Sequence, residues 1–258
     1  MNTDLGLILH GWSYARGELR VRKIAGGDGR PRIQIRMDMG LMQLEWSGRP
    51  DGARPRDSVS LLDYFQSECH RRQRQGQAAP LLLSRADCWE LGQEAMQYYW
   101  RRLSFFELKE YLRAEEDATH NLDILDLCQE YAEHPEDRQI AHQYRAFVTA
   151  HRIQAGVLSL LEEHDHQGAL QHLRTGIGNL EEILSRQGDL EHPDSCQELN
   201  FLRQWEQELE HSRPLSPEEK LNVELAQAVK QERFELAASL RDRLRLLQAQ
   251  RHGDLGSL

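Results

Sequence analysis

Residues 32–46 read RIQIRMDMGLMQLEW. Ile33, Ile35 and Met37 alternate with Gln34, Arg36 and Asp38. Beyond Gly40 the alternation resumes, Met42, Leu44 and Trp46 against Gln43, Glu45 and Ser47. Period two on both sides of a glycine predicts a β-hairpin with one buried face. Upstream, LRVRKI (19–24) supplies a third strand through AGGDGRP (25–31), whose glycines and proline suit a turn, and LGLIL (5–9) is placed at the sheet edge. RPDG (49–52) closes the sheet. So few short strands bury little by themselves, so the sheet is expected to pack on helices that follow it.

From Ser58 the period changes to a helical one. SVSLLDYFQSECHRRQRQ (58–75) opens with a serine cap and runs into the polar linker QGQAAP (75–80). Residues 84–117 space Trp89, Met96, Trp100, Leu103, Phe106, Leu108 and Leu112 at helical intervals, with Ser84 as cap and Asp87 three residues on. This aromatic-dense segment is expected to form the core. LDILDLCQEYAEHPED (122–137) adds a helix that stops before Pro135. Over 138–186, Ile140, Tyr144, Phe147, Val148, His151, Ala155, Leu158 and Leu161 line one helix, HDHQG interrupts it, and Ala169, Leu170, Leu173, Ile177, Leu180 and Leu184 line its return. A last helix, 194–212, precedes the linker RPLSP (213–217). The expected fold is α+β and predominantly α-helical. It comprises an antiparallel β-meander over 1–56, a helical domain over 57–212 and a C-terminal antiparallel helical hairpin over 213–250.

The formal charge of −10 is unevenly spread: residues 1–80 carry 13 Lys+Arg against 9 Asp+Glu, residues 81–258 carry 19 against 33. An acidic helical bulk repels phosphate backbones, which leaves only the basic first third as a nucleic-acid surface. Cys69, Cys88, Cys128 and Cys196 form no C-x-x-C pair and read as buried thiols of a cytoplasmic protein. Asp4 interrupts the start and LGLIL is too short for a signal-peptide core; no apolar run approaches the ~18 residues a membrane span needs.

At the C-terminus, Leu221, Leu225 and Ala228 recur at spacings of four and three, the chain turns at KQERF (230–234), and Phe234, Ala237, Ala238, Leu240, Leu244 and Leu247 continue the seam. Two helices joined so tightly must lie antiparallel. Phe234 is expected to plug the end of the hairpin, with alanines bringing the axes together.

These residues resemble the UVR motif of the excinuclease subunits B and C of bacterial nucleotide excision repair. Phe234-Glu235, Ala237-Ala238 and Leu240-Arg241-Asp242 carry the F-E-x-A-A-x-L-R-D core, and Leu225 and Ala228 its first half, within roughly 217–248. The resemblance implies a helical hairpin for protein–protein contact, either self-association or pairing with another such hairpin. Similar hairpins occur in Clp ATPases and their adaptors. Leu225, Ala228, Phe234, Glu235, Ala237, Ala238, Leu240, Arg241 and Asp242 are the expected partner-binding residues. Arg241 and Asp242 would orient a docking helix through charge-assisted bonds; the local alternative is an Asp242–Arg245 pair one turn on. The chain carries no phosphate-loop motif for ATP, no nuclease motif, and none of the zinc-binding cysteine pairs of the Clp-associated adaptors.

Other constellations have simpler readings. In EEHDHQGALQH (162–172), Glu163 and His166 have Glu-x-x-His spacing, but a di-iron bundle needs two such motifs, and Asp117-Ala-Thr-His120 imitates it poorly. A polar hairpin turn explains the run, similar to the turn of a tetratricopeptide-like hairpin, although no second copy recurs at that period. AGGDG precedes a strand instead of opening a helix, so it is a turn and not a phosphate loop. RRQR (71–74) suits a solvated helix end, and Trp89, Tyr98, Tyr99, Trp100, Phe105 and Phe106 suit a core stripe. No catalytic residue, metal site or cofactor is expected. The expected function is that of a non-enzymatic interaction or scaffold protein. The alternatives are a DNA-repair accessory binding through the basic first third, an adaptor in Clp-type quality control, and an enzyme with a pocket among helices 84–186.

Overall fold

The computed structural model describes residues 5–254 except 39, 77–80, 188–195, 213–216 and 232; the side chains of 141, 217–219, 222, 223, 228, 237 and 246–254 are also outside the described set. The chain divides into two compact units, residues 1–207 and 208–258. Parts of the expected linkers QGQAAP and RPLSP fall outside the described residues.

In the first unit, β1 (Arg20–Ala25), β2 (Pro31–Met37) and β3 (Gly40–Glu45) form an antiparallel sheet in that order. Ile33 pairs with Leu44, Ile35 with Met42 and Met37 with Gly40, as the alternation about Gly40 requires. Between β1 and β2 the Gly26 amide donates to the Arg30 carbonyl at 2.7 Å, and Gly29 takes a left-handed φ of 77°, so AGGDG is a hairpin turn. The buried face of Ile33, Ile35, Leu44 and Trp46 meets Phe105, Ala114 and Ala155 of the helices, giving sheet and helices a common core. LGLIL is not a strand. Gly6–Leu9 forms a single helical turn (α1) with Leu7 exposed, and Arg22 donates to the Ile8 carbonyl at 3.1 Å, so the segment is tied by its backbone and adds nothing to the ladder.

After a 3-10 turn at Pro55–Asp57, the helices are α2 (Leu61–Arg74), α3 (Arg85–Glu107), α4 (Tyr111–Tyr131), α5 (Pro135–Glu162), α6 (His166–Gln187) and α7 (Gln197–Ser212). Ser60 caps α2, and Ser84 and Asp87 form a reciprocal capping box on α3. The helically spaced segment 84–117 falls on two helices, α3 and the start of α4. Lys109 takes φ 59°, and the amides of Lys109 and Glu110 return to the carbonyls of Phe106 and Phe105, a Schellman closure built without glycine. His164 closes α5 in the same way, its own amide reaching Leu161 and that of Asp165 reaching Leu160. Asp165 then caps α6 by accepting from the Gly168 amide at 2.8 Å. The long hairpin α5–α6 packs closely: a Cβ on Gly176 would meet Ile153 at 2.7 Å, and one on Gly156 would meet His172 at 2.5 Å.

The buried face of α3 corrects the expected stripe. Trp89 is 66% exposed, and Met96 and Leu112 also face solvent. What α3 buries is Leu91, Glu94, Tyr98, Arg101, Arg102, Ser104 and Phe105. The charged members are held by partners distant in sequence. Glu94 accepts from the amides of Leu61 (2.8 Å) and Leu62 (3.2 Å), capping the first turn of α2 from another helix, and it also meets His120 Nε2 at 3.1 Å and Arg49 Nε at 3.4 Å. Burial works to raise the Glu94 pKa, but the hydrogen bonds from His120 and the two amides outweigh it and hold the carboxyl below its ordinary value. Arg101 grips Asp117 of α4 bidentately and turns its remaining nitrogen to the carbonyls of Gly48 (2.6 Å) and Glu45 (3.2 Å), joining α3, α4 and the end of the sheet.

Candidate interaction hairpin

In the second unit, α8 (Pro217–Lys230) and α9 (Phe234–Asp254) are antiparallel helices separated by three residues. The chain leaves α8 in a turn at Gln231, whose amide bonds the Gln227 carbonyl at 3.0 Å. Leu221 and Leu240 are buried against one another, and Leu225 and Leu244 pack partly buried beside them. These four leucines recur at spacings of four on each helix, which puts them on one face and defines the seam.

Seven of the nine expected partner-binding residues have described side chains, and these separate into two groups. Leu225 and Leu240 belong to the seam and hold the two helices together. Phe234, Glu235, Ala238, Arg241 and Asp242 are exposed on α9. The side chains of Ala228 and Ala237 lie outside the described residues, as does that of Leu247. Phe234 is therefore not a plug: its ring is 69% exposed at the first residue of α9, where it has no preceding turn of its own helix to cover it. Ala238 likewise faces away from the seam. Val229 and Leu236, not among the expected contacts, are also exposed, so three large apolar side chains sit within eight residues around the turn. Val229 adjoins the leucine pattern in sequence, but only the position of the seam shows it to lie outside. The Asp242 carboxylate lies 3.7 Å from Arg241 Nε, with both side chains more than half exposed. At that exposure the pair contributes little to stability and leaves both charges available to a binding surface.

The other constellations fall into structural places. Arg71 and Arg72 both clasp Glu68, at 2.7 and 2.9 Å, at the solvated end of α2. Glu163, His164 and Asp165 make the α5–α6 turn. Among the described residues no group of three His, Cys, Asp or Glu side chains could hold a metal ion, and no helix is long and apolar enough to cross a membrane. Of the four free cysteines, Cys128 is buried and Cys69, Cys88 and Cys196 are half-buried.

The hairpin geometry agrees with the comparison to protein families. The family model of the UvrB/uvrC motif matches residues 219–250, which comprise all but the first two residues of α8, the turn and most of α9. In UvrB and UvrC this motif mediates protein–protein interaction. No curated protein and no solved structure matches the chain.

Proposed function

We propose that this chain is a non-enzymatic interaction or scaffold protein that docks its UVR hairpin onto a partner hairpin or onto a second copy of itself. The observation that carries this reading is the division of labour on the hairpin. One leucine seam holds it closed, while the motif residues Phe234, Glu235, Arg241 and Asp242 stay outside. A two-helix unit with so small a core gains stability by covering its outer apolar side chains, and Val229, Phe234 and Leu236 are available for that. The charged pair beside them would set the orientation of the incoming helix.

An adaptor role in Clp-type quality control is a narrower form of the same proposal and differs only in the partner. A repair accessory using the basic first third is the second reading, and several of its arginines are already engaged within the fold. Arg22 holds Gln34, Arg32 holds Asp28 and Glu45, Arg56 holds Asp87 and Glu90, and Arg36 is turned onto backbone carbonyls. The test is truncation after Ser212 followed by measurement of association. Loss of binding with retained helical signal and cooperative unfolding of the remainder supports the proposal. Undiminished binding overturns it, and steeply salt-dependent duplex binding by the truncated chain would favour the repair reading instead.

A further inference from the structure

Three of the four cysteines converge on the last turns of α4. Cys128 is buried there, and Cys69 of α2 and Cys88 of α3 pack half-buried against the same core. Cys69 is engaged by Tyr131, with which it shares a hydrogen bond. Cys88 and Cys128 hydrogen-bond one another.

The backbone puts these two thiols at one level. Leu83 and Ala132 form a parallel bridge, in which the Leu83 amide donates to the Tyr131 carbonyl at 2.8 Å and the Glu133 amide to the Leu83 carbonyl at 2.9 Å. At this bridge α3 begins and α4 ends. The Cys88 amide donates to the Ser84 carbonyl and the Ala132 amide to the Cys128 carbonyl, each at 3.0 Å, so each cysteine sits one helical turn in from the bridge.

The pair is asymmetric. Cys88 is the fourth residue of α3, close to the positive end of the helix dipole, and is partly open to solvent. The hydrogen bond from Cys128 holds its thiol below the usual range, against burial and the carboxylates of Asp137 and Asp87. Those carboxylates are matched in turn by Arg85 at 3.9 Å and Arg56 at 2.9 Å. Cys128 is pushed up by the same thiol contact and by burial. One accessible thiolate beside one buried thiol is the arrangement of a nucleophilic and a resolving cysteine.

We propose that Cys88 and Cys128 form a peroxide-reactive dithiol site, in which hydrogen peroxide oxidises Cys88 and Cys128 resolves it to a disulfide joining α3 to α4. The Cys88 thiolate attacks one peroxide oxygen, the O–O bond breaks, and the departing hydroxide takes up the proton that Cys88 had released, giving water. The Cys128 sulfur then attacks the Cys88 sulfenic acid. The S–S bond forms as the S–O bond breaks, and the hydroxyl leaves with the Cys128 proton as a second water. Two thiols are thereby oxidised and one peroxide is reduced. Because the thiols already touch, closure asks mainly for side-chain rotation.

The test is a peptide map of the full chain, fully reduced, treated with stoichiometric hydrogen peroxide and alkylated without further reduction. Wild type is expected to lose the Cys88 and Cys128 thiols together and to yield a cross-linked peptide pair carrying both. Cys69 and Cys196 should remain alkylated, and dithiothreitol should restore the lost thiols. In Cys128→Ser, dimedone should trap Cys88 as its sulfenic acid; in Cys88→Ser, Cys128 should stay reduced at the same dose. If a serine variant does not fold, the wild-type map alone decides. A disulfide from Cys88 to another cysteine, oxidation of Cys88 with Cys128 still free, undiminished oxidation of Cys128 in Cys88→Ser, or an inert Cys88 at a dose that oxidises free cysteine would each overturn the proposal.

Discussion

Arg101 and Asp117 form a bidentate ion pair in the interior of the helical unit, Nε to Oδ2 at 2.9 Å and Nη2 to Oδ1 at 2.7 Å. It joins α3 to α4, and Asp117 also feels the charge of the neighbouring Arg102. Removing the negative partner would leave the buried Arg101 guanidinium without a counter-charge. Asp117→Asn is therefore expected to cost about 3–5 kcal/mol in urea unfolding. The double variant Asp117→Leu with Arg101→Met should recover much of that loss, because it removes both desolvated charges together. Equal loss in the double variant would mean that packing and not charge governs the site.

His151 should give the protein a pH-dependent stability. Burial, with Arg102 adding repulsion, pulls its pKa from the ordinary 6.5 down to about 4. The folded state thus keeps the imidazole neutral where the unfolded chain protonates it. The contribution is complete above the unfolded pKa and is lost as pH falls from about 6.5 to about 4. Allowing for its partial exposure, the loss is on the order of 2 kcal/mol. Denaturant midpoints measured across that window should fall in wild type and flatten in His151→Phe. A parallel fall in both proteins would assign the dependence to other groups.

Lys109 and His164 occupy left-handed positions that close α3 and α5, where glycine has no Cβ penalty. Lys109→Gly and His164→Gly are each expected to stabilise the protein by about 0.5–1 kcal/mol, the relief of backbone strain exceeding the extra entropy of the unfolded chain. Thermal unfolding checks this, and a destabilised glycine variant would show that the side chains contribute contacts beyond the turn.

These same elements mark how far the residues alone could be read. The β-hairpin about Gly40, the Ser84–Asp87 capping box, the turn at 163–165 and the C-terminal hairpin were legible because each is decided by neighbours within a few positions. The break between α3 and α4 was not, because Lys109 stands where a glycine would have announced the closure. Nor was the buried face of α3. Glu94, Arg101 and Arg102 look like surface residues until the Leu61 and Leu62 amides, Asp117 and His120 are brought to them from other elements. Trp89 and Met96, chosen for hydrophobicity at helical spacing, lie on the opposite side. On the hairpin, the motif is legible as a pattern, but Phe234, expected to plug the end of the hairpin, is exposed, and only the leucine seam shows it.

The most direct test of the docking account is a quantitative pull-down from cells of the native host. Two tagged baits are compared at equal expression, the full chain and the chain ending at Ser212, each alongside an untagged full-length copy. The full chain is expected to retain a second copy or another hairpin-bearing protein. The truncated chain, folded by circular dichroism, should retain neither. Recovery of the same proteins at the same yield on both baits would contradict the central claim, since binding would then reside outside residues 213–258.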